Sequence, residues 1–354
     1  MINNDKTKNI YQSCNEVEKF HLVILSKIDR TSEWFTPCCN LSIIGPKSKV
    51  ADDPEESLNN FIELRHNMIE ENRRVYQTDD KERIYTNACQ YCTSYVVNDW
   101  SDNTDKISFM NLSMAPATCQ SKCMYCGFIQ QDNSITTQSK ESYERLFKIL
   151  EFIKMNNMTE KNVLWQLSSG EITIHPYKKR LLELVDGLNV SFLSNCFVFD
   201  FGIADHLRKN PKSTLNLSID SGRSITWRKV KGVNNFCKVL ENLKRYCSYV
   251  NQDAVQQITL KYIVMPGINT DIRDYTGVIN IMKENKIWNL IISRDTGVSY
   301  DISDDKYMNL LTNISDLAYM CKINGFNYDL TYTLFSESEI DRIKKMVDDR
   351  LQQI

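Results

Sequence analysis

No apolar stretch in the 354 residues is long enough to cross a bilayer. The longest runs, around Leu290 to Ile292 and Val190 to Leu193, fall far short of the roughly 20 residues a span needs. A membrane protein is therefore not expected. Nor is there an excess of either charge: 43 Lys and Arg stand against 45 Asp and Glu, a formal charge of -2. With no net field to gather nucleic acid or anionic lipid, neither is an expected partner. The opening MINNDKTKNI lacks the apolar core of a signal peptide, so a cytoplasmic location is expected. Internal repeats and low-complexity tracts are also missing.

Cysteine, by contrast, is abundant, with 12 residues. In a reducing compartment such clusters point to metal binding or catalysis rather than disulfides. Eight lie in the first 126 positions: Cys14, Cys38, Cys39, Cys89, Cys92, Cys119, Cys123 and Cys126. The others, Cys196, Cys237, Cys247 and Cys321, are scattered and read as small buried hydrophobes.

From about Lys106 short apolar runs alternate with helical patterns, the rhythm of βα units around a parallel sheet. The expected strands begin with ISFMNLSM (107–114), VLWQLSS (163–169) and VSFLSN (190–195), followed by TLNLSID (214–220), ITLKYIV (258–264) and IWNLIIS (287–293). Six such units predict an α/β fold, a partial (β/α)6 barrel, over 106–335. Ser336 with Glu339 resembles a capping box opening a last helix over 336–354. Residues 1–105 lack this rhythm and hold five cysteines, so a separate N-terminal cysteine-rich auxiliary module is expected. Within it Asp53, Pro54 and Glu56 predict the start of a helix carrying Leu58, Phe61, Ile62 and Ile69. The polar stretch 97–106 reads as a linker.

The chemistry centres on TCQSKCMYCGF, in which Cys119, Cys123 and Cys126 follow the first barrel strand. Three thiolates can hold three irons of a four-iron cubane and leave the fourth open to a ligand. A zinc site would need a fourth Cys or His, and none is nearby. The position suits a βα barrel, whose chemistry gathers at the C-terminal ends of its strands.

This spacing, with Tyr125 before the last cysteine, resembles the radical S-adenosylmethionine superfamily. Ser169, Gly170 and Glu171 after the second strand are similar to that family's Gly-Gly-Glu motif, with serine in place of the first glycine. The resemblance implies that they contact the amino group of S-adenosylmethionine. Ser194 and Asn195 end the third strand and Ser218 and Asp220 the fourth, where the family contacts the methionine and ribose portions. Lys261 on the fifth strand is a further candidate for a polar contact.

The Ser-Ile-Asp-Ser-Gly segment beginning at Ser218 also resembles radical enzymes with a second cysteine module of the SPASM or twitch type. That module normally follows the barrel, whereas the candidate ligands here precede it: Cys14, Cys38, Cys39, Cys89 and Cys92. They could hold an auxiliary [4Fe-4S] cluster, a structural zinc or nothing.

The resemblance implies reductive cleavage of S-adenosylmethionine at a [4Fe-4S] cluster to a 5'-deoxyadenosyl radical, with an external one-electron donor such as flavodoxin or ferredoxin. The radical is expected to take a hydrogen from a peptide or protein side chain, as in maturases. A small metabolite such as a sugar or amino acid is the alternative, and a non-catalytic zinc module a further one.

Overall fold

The computed structural model describes residues 9–26, 33–38, 46–78, 89, 92, 94–101, 104–113, 118–126, 137–167, 170–250, 256–295, 305–330 and 334–353. The chain divides into two compact units, one of Met1–Pro116 with Asn133–Ser169, the other of Ala117–Asp132 with Gly170–Ile354.

The first unit contains, in chain order, β1 (Ile10–Ser13), α1 (Asn15–Glu18), β2 (His21–Ser26), β3 (Glu33–Thr36), β4 (Ser48–Lys49) and α2 (Pro54–Thr78). β5 (Val96–Asp99), β6 (Ile107–Ser113), α3 (Thr137–Met155) and β7 (Thr159–Leu167) follow. Its main sheet runs β7-β6-β2-β3-β4, with β6 parallel to both β7 and β2. β1 and β5 form an antiparallel ribbon, so the first part of the expected linker is a strand.

α2 begins where the sequence places it. The Glu56 backbone N–H donates to the Asp53 carboxylate at 2.9 Å, which satisfies one of the donors that a helix start leaves open. Leu58, Phe61 and Ile69 are buried, whereas Ile62 lies outside that face and is exposed. Arg65 on α2 is buried too, because its guanidinium caps the end of α1, donating to the Val17 carbonyl at 2.6 Å and the Glu18 carbonyl at 2.8 Å.

The second unit continues with α4 (Lys178–Leu184), β8 (Asn189–Ser194), α5 (Phe201–Lys209), β9 (Thr214–Ser218), α6 (Ser224–Lys231) and α7 (Phe236–Tyr249). β10 (Ile258–Val264), α8 (Ile272–Asn285), β11 (Asn289–Arg294), α9 (Asp305–Ile323), β12 (Asn327–Leu330) and α10 (Glu337–Leu351) complete it. Strands run β12-β11-β10-β9-β8, and the pairings that set Ser191 against Thr214, Leu260 against Leu217 and Leu290, and Asn289 against Asn327 are all parallel. Leu260, Tyr262 and Val264 alternate into the core opposite Leu215, Leu217 and Phe192.

All six expected strands form, as β6 to β11, and the fold is the α/β class of a partial (β/α)6 barrel. β12 adds a parallel strand beyond them. The capping box is present, with Ser336 and Glu339 exchanging side-chain-to-backbone bonds. Among the described residues no helix is long and apolar enough to cross a membrane.

Candidate active site

The cysteine loop of the second unit is short and well tied. The Cys126 N–H donates to the Cys123 carbonyl at 3.0 Å, closing a tight turn, and the Cys119 sulfur accepts from the Ser121 N–H at 3.4 Å. All three thiols are half-buried; Cys196, Cys247 and Cys321 are buried, as their reading as small hydrophobes requires, whereas Cys237 on the outer side of α7 is exposed and corrects that reading. Burial pushes the Cys119 thiol up, opposed by the Ser121 N–H. It raises Cys123 likewise, with the Lys231 ammonium pulling the other way.

Two polar clusters flank the loop. The first is built on Glu171, whose N–H donates to the Thr118 carbonyl at 2.7 Å. Its carboxylate is 1% exposed, so its oxygens must be satisfied by the protein. Oε1 accepts from the Thr173 N–H at 3.1 Å, the Thr173 hydroxyl at 2.7 Å and the Ser194 hydroxyl at 2.8 Å, while Oε2 accepts from the Asn195 N–H at 2.5 Å. Glu171 thus caps the short 3-10 turn Ile172–Ile174 and ties it to the end of β8. Burial raises its carboxyl above the usual range, against these bonds. The Asn195 amide reaches back to the Cys119 sulfur at 3.5 Å. Gly170, just before, has φ +57°. Ser169 lies outside the described residues.

The second cluster forms around Asp220, which has φ +52° after β9. Such a backbone costs about 1–2 kcal/mol for an L-residue, and several bonds hold it. Oδ1 accepts from the Ile263 N–H at 2.8 Å, the Asp220 carbonyl from the Asn269 amide at 2.8 Å, and Oδ2 from the Tyr125 hydroxyl at 2.7 Å and the Lys231 ammonium at 2.5 Å. Burial lowers the Lys261 ammonium, with Asp220 acting against the shift. Ser218 pairs in register with Lys261 across β9 and β10. The structure therefore gathers Tyr125, Asp220 and Lys261 on one side of the loop and Glu171, Ser194 and Asn195 on the other. Sequence reasoning missed Thr173 and Lys231. Lys231 carried no signal of its own, because a lysine in the last turn of a helix ordinarily faces solvent.

In the first unit Cys14, Cys38, Cys89 and Cys92, up to 78 positions apart, converge. Cys14, Cys38 and Cys89 belong to one buried cluster with Tyr11, Met68, Tyr95 and Trp100, and Cys92 packs against it. The Cys92 N–H donates to the Cys89 carbonyl at 2.7 Å. Burial and the neighbouring Glu16, Cys89 and Cys92 raise the Cys14 thiol well above its ordinary value. Cys39 lies outside the described residues.

Among the described residues no three His, Cys, Asp or Glu side chains already stand in coordinating geometry. The donor chemistry of the 119–126 loop nevertheless fits an iron-sulfur cluster: three half-buried soft thiols on one short turn, with a backbone N–H and an amide N–H aimed at the Cys119 sulfur.

Residues 116–276 match the Radical SAM superfamily. Among solved structures the chain is similar to Streptococcus suis SuiB bound to S-adenosylmethionine, at 14% identity and a TM-score of 0.49 over 81% of this chain and 63% of that one. SuiB bound to precursor peptide SuiA gives 13% and 0.47 over 90% and 72%. A radical SAM methyltransferase from Sphaerobacter thermophilus gives 12% and 0.42 over 60% and 62%. The chain thus spans less than two thirds of S-adenosylmethionine-bound SuiB, and no curated protein matches it. The segment 116–276, which carries the three-cysteine loop and both polar clusters, is thus similar to the radical SAM superfamily.

Proposed function

We propose that Cys119, Cys123 and Cys126 hold a [4Fe-4S] cluster whose open iron takes S-adenosylmethionine, and that the enzyme modifies a peptide or protein side chain. When bound, cluster and cofactor supply a 5'-deoxyadenosyl radical that abstracts a substrate hydrogen. The observation that carries the reading is the loop itself, three thiols between two buried polar clusters. Glu171 Oε2 carries a single protein donor and keeps a lone pair for an ammonium, while Oε1 is fully engaged. Ser194 and Asn195 hold that carboxylate in place. Tyr125, fixed by Asp220 and Lys231, forms the opposite wall, with Ser218 and Lys261 beside it.

Cys14, Cys38, Cys89 and Cys92 are proposed to hold an auxiliary [4Fe-4S] cluster, in an N-terminal module of residues 1–105. Their convergence supports this, since four separate thiols have little reason to meet by chance in a buried cluster. The peptide reading rests on that second site and on the Ser218 to Gly222 segment, which resembles two-cluster enzymes of the maturase type. One electron per turnover would come from an external donor such as flavodoxin or ferredoxin.

The test is anaerobic incubation of the reconstituted enzyme with S-adenosylmethionine, reductant and deuterated candidate substrates. Deuterium in 5'-deoxyadenosine from a peptide substrate is the expected result. Transfer only from a sugar or free amino acid would replace the peptide reading with the small-metabolite one, and zinc without iron and sulfide would remove both.

A further inference from the structure

The cysteine loop is seated on the C-terminal end of α6. The Lys122 N–H donates to the Lys231 carbonyl at 2.9 Å and the Met124 N–H to the Val230 carbonyl at 3.0 Å. These are carbonyls that a helix end would otherwise leave open. At the same point the Lys231 side chain turns inward and is 1% exposed. Its ammonium donates to the Asp220 carboxylate at 2.5 Å and the Tyr125 hydroxyl at 2.8 Å, and lies 5.3 Å from the centroid of the Tyr125 ring. Asp220 is fully buried.

Lysine is seldom buried, and a buried ion pair is often no more stabilising than an apolar pair of the same size. Stability alone therefore does not account for a lysine here. Charge does. On the Cys123 side two ammoniums, Lys231 and Lys261, face one carboxylate, Asp220, whereas on the Cys119 side the nearby charged group is Glu171. Lys231 is the fully buried cation of that set, where water screens it least.

We propose that Lys231 is a positioning residue for the 119–126 loop: it locks Tyr125 against Asp220, and its fixed charge raises the reduction potential of the cluster the loop carries. The inference rests on the cluster reading above. When the cluster takes one electron from a reductant it gains one negative charge and no atom moves, so a neighbouring cation favours the reduced form and a neighbouring anion opposes it. A unit charge about 10 Å away at an effective dielectric of about 20 changes such an equilibrium roughly tenfold, which is about 59 mV for one electron.

The experiment is a mediated redox titration of the anaerobically loaded enzyme, followed by electron paramagnetic resonance, with iron and sulfide measured on every sample. Lys231→Met is expected to lower the reduced-to-oxidised ratio at fixed potential roughly tenfold, and Asp220→Asn to raise it. Opposite shifts are the signature of charge, since a merely structural role would move both variants the same way. Shifts of the same sign, or a change under about twofold in Lys231→Met, would overturn the proposal. Should Lys231→Met fail to load iron, Asp220→Asn decides by its direction. Loss of iron from both, with normal loading of the wild type, would show that the network only holds the loop and would also overturn it. A wild type without iron would defeat the cluster reading instead.

Discussion

If the cysteine loop is held by the end of α6, Gly232→Ala should disturb it more than a comparable glycine elsewhere. Gly232 ends α6 with φ +69°, and a Cβ there would lie 2.7 Å from the Lys122 carbonyl oxygen and 2.8 Å from the Lys122 Cβ. The left-handed backbone costs an L-residue about 1–2 kcal/mol. Overpacking against a neighbour whose backbone must move adds about 1–3 kcal/mol, for a total of about 2–5 kcal/mol. Lys122 lies between Cys119 and Cys123, so part of that energy is spent displacing those two cysteines. Gly325→Ala is the control, because Gly325 has φ +78° but nothing within 4 Å of its Cβ position, leaving only the backbone term of about 1–2 kcal/mol. Urea denaturation should therefore show Gly232→Ala to be less stable than Gly325→Ala by about 1–3 kcal/mol, and the reconstituted Gly232→Ala enzyme should retain less iron. Equal stability and equal iron in the two variants would refute the seating of the loop on α6.

Three further outcomes follow from the same contacts. Replacing Cys119, Cys123 and Cys126 together by Ala should remove about four irons per chain and leave the iron held by Cys14, Cys38, Cys89 and Cys92; zinc alone in the variant would count against the second cluster. Glu171→Gln sets an amide N–H against either the Asn195 N–H or the Thr173 and Ser194 donors, so it should cost about 1–3 kcal/mol in a denaturant titration and weaken the effect of S-adenosylmethionine on the cluster's paramagnetic signal. A variant unchanged in both would show that Glu171 is neither hub nor cofactor ligand. His175 is buried, which lowers its imidazole from 6.5 to about 4. It stays neutral in the fold while the unfolded chain takes up a proton, so its contribution is present above pH 6.5 and lost as pH falls toward 4, by about 3 kcal/mol. His175→Gln should flatten stability over that window.

The barrel rhythm was legible because β8 to β11 are short apolar runs between helical faces, and burial on a parallel sheet demands such runs. β12, with the sequence NYDL, escaped because a polar strand lacks that signature. β2 escaped for another reason: HLVILS is apolar enough, but its partner β6 lies more than 80 positions away, and pairing at that range leaves no local trace. The three-cysteine loop announced itself through spacing alone. The meeting of Cys14, Cys38, Cys89 and Cys92 was an inference from composition, since nothing local in those segments dictates their convergence. Lys231 shows the limit most plainly. A lysine in the last turn of a helix reads as a solvated charge favoured by the helix dipole, and only the fold reveals that it points inward to Asp220.

The central claim is that the 119–126 loop carries a cluster that cleaves S-adenosylmethionine. The most direct test is anaerobic reconstitution with iron and sulfide, addition of dithionite and S-adenosylmethionine, and quantification of 5'-deoxyadenosine by mass spectrometry. The account predicts 5'-deoxyadenosine from the wild type and none from the triple Cys119, Cys123 and Cys126 to Ala variant; equal amounts from both, or none from a wild type loaded with iron and sulfide, would contradict it.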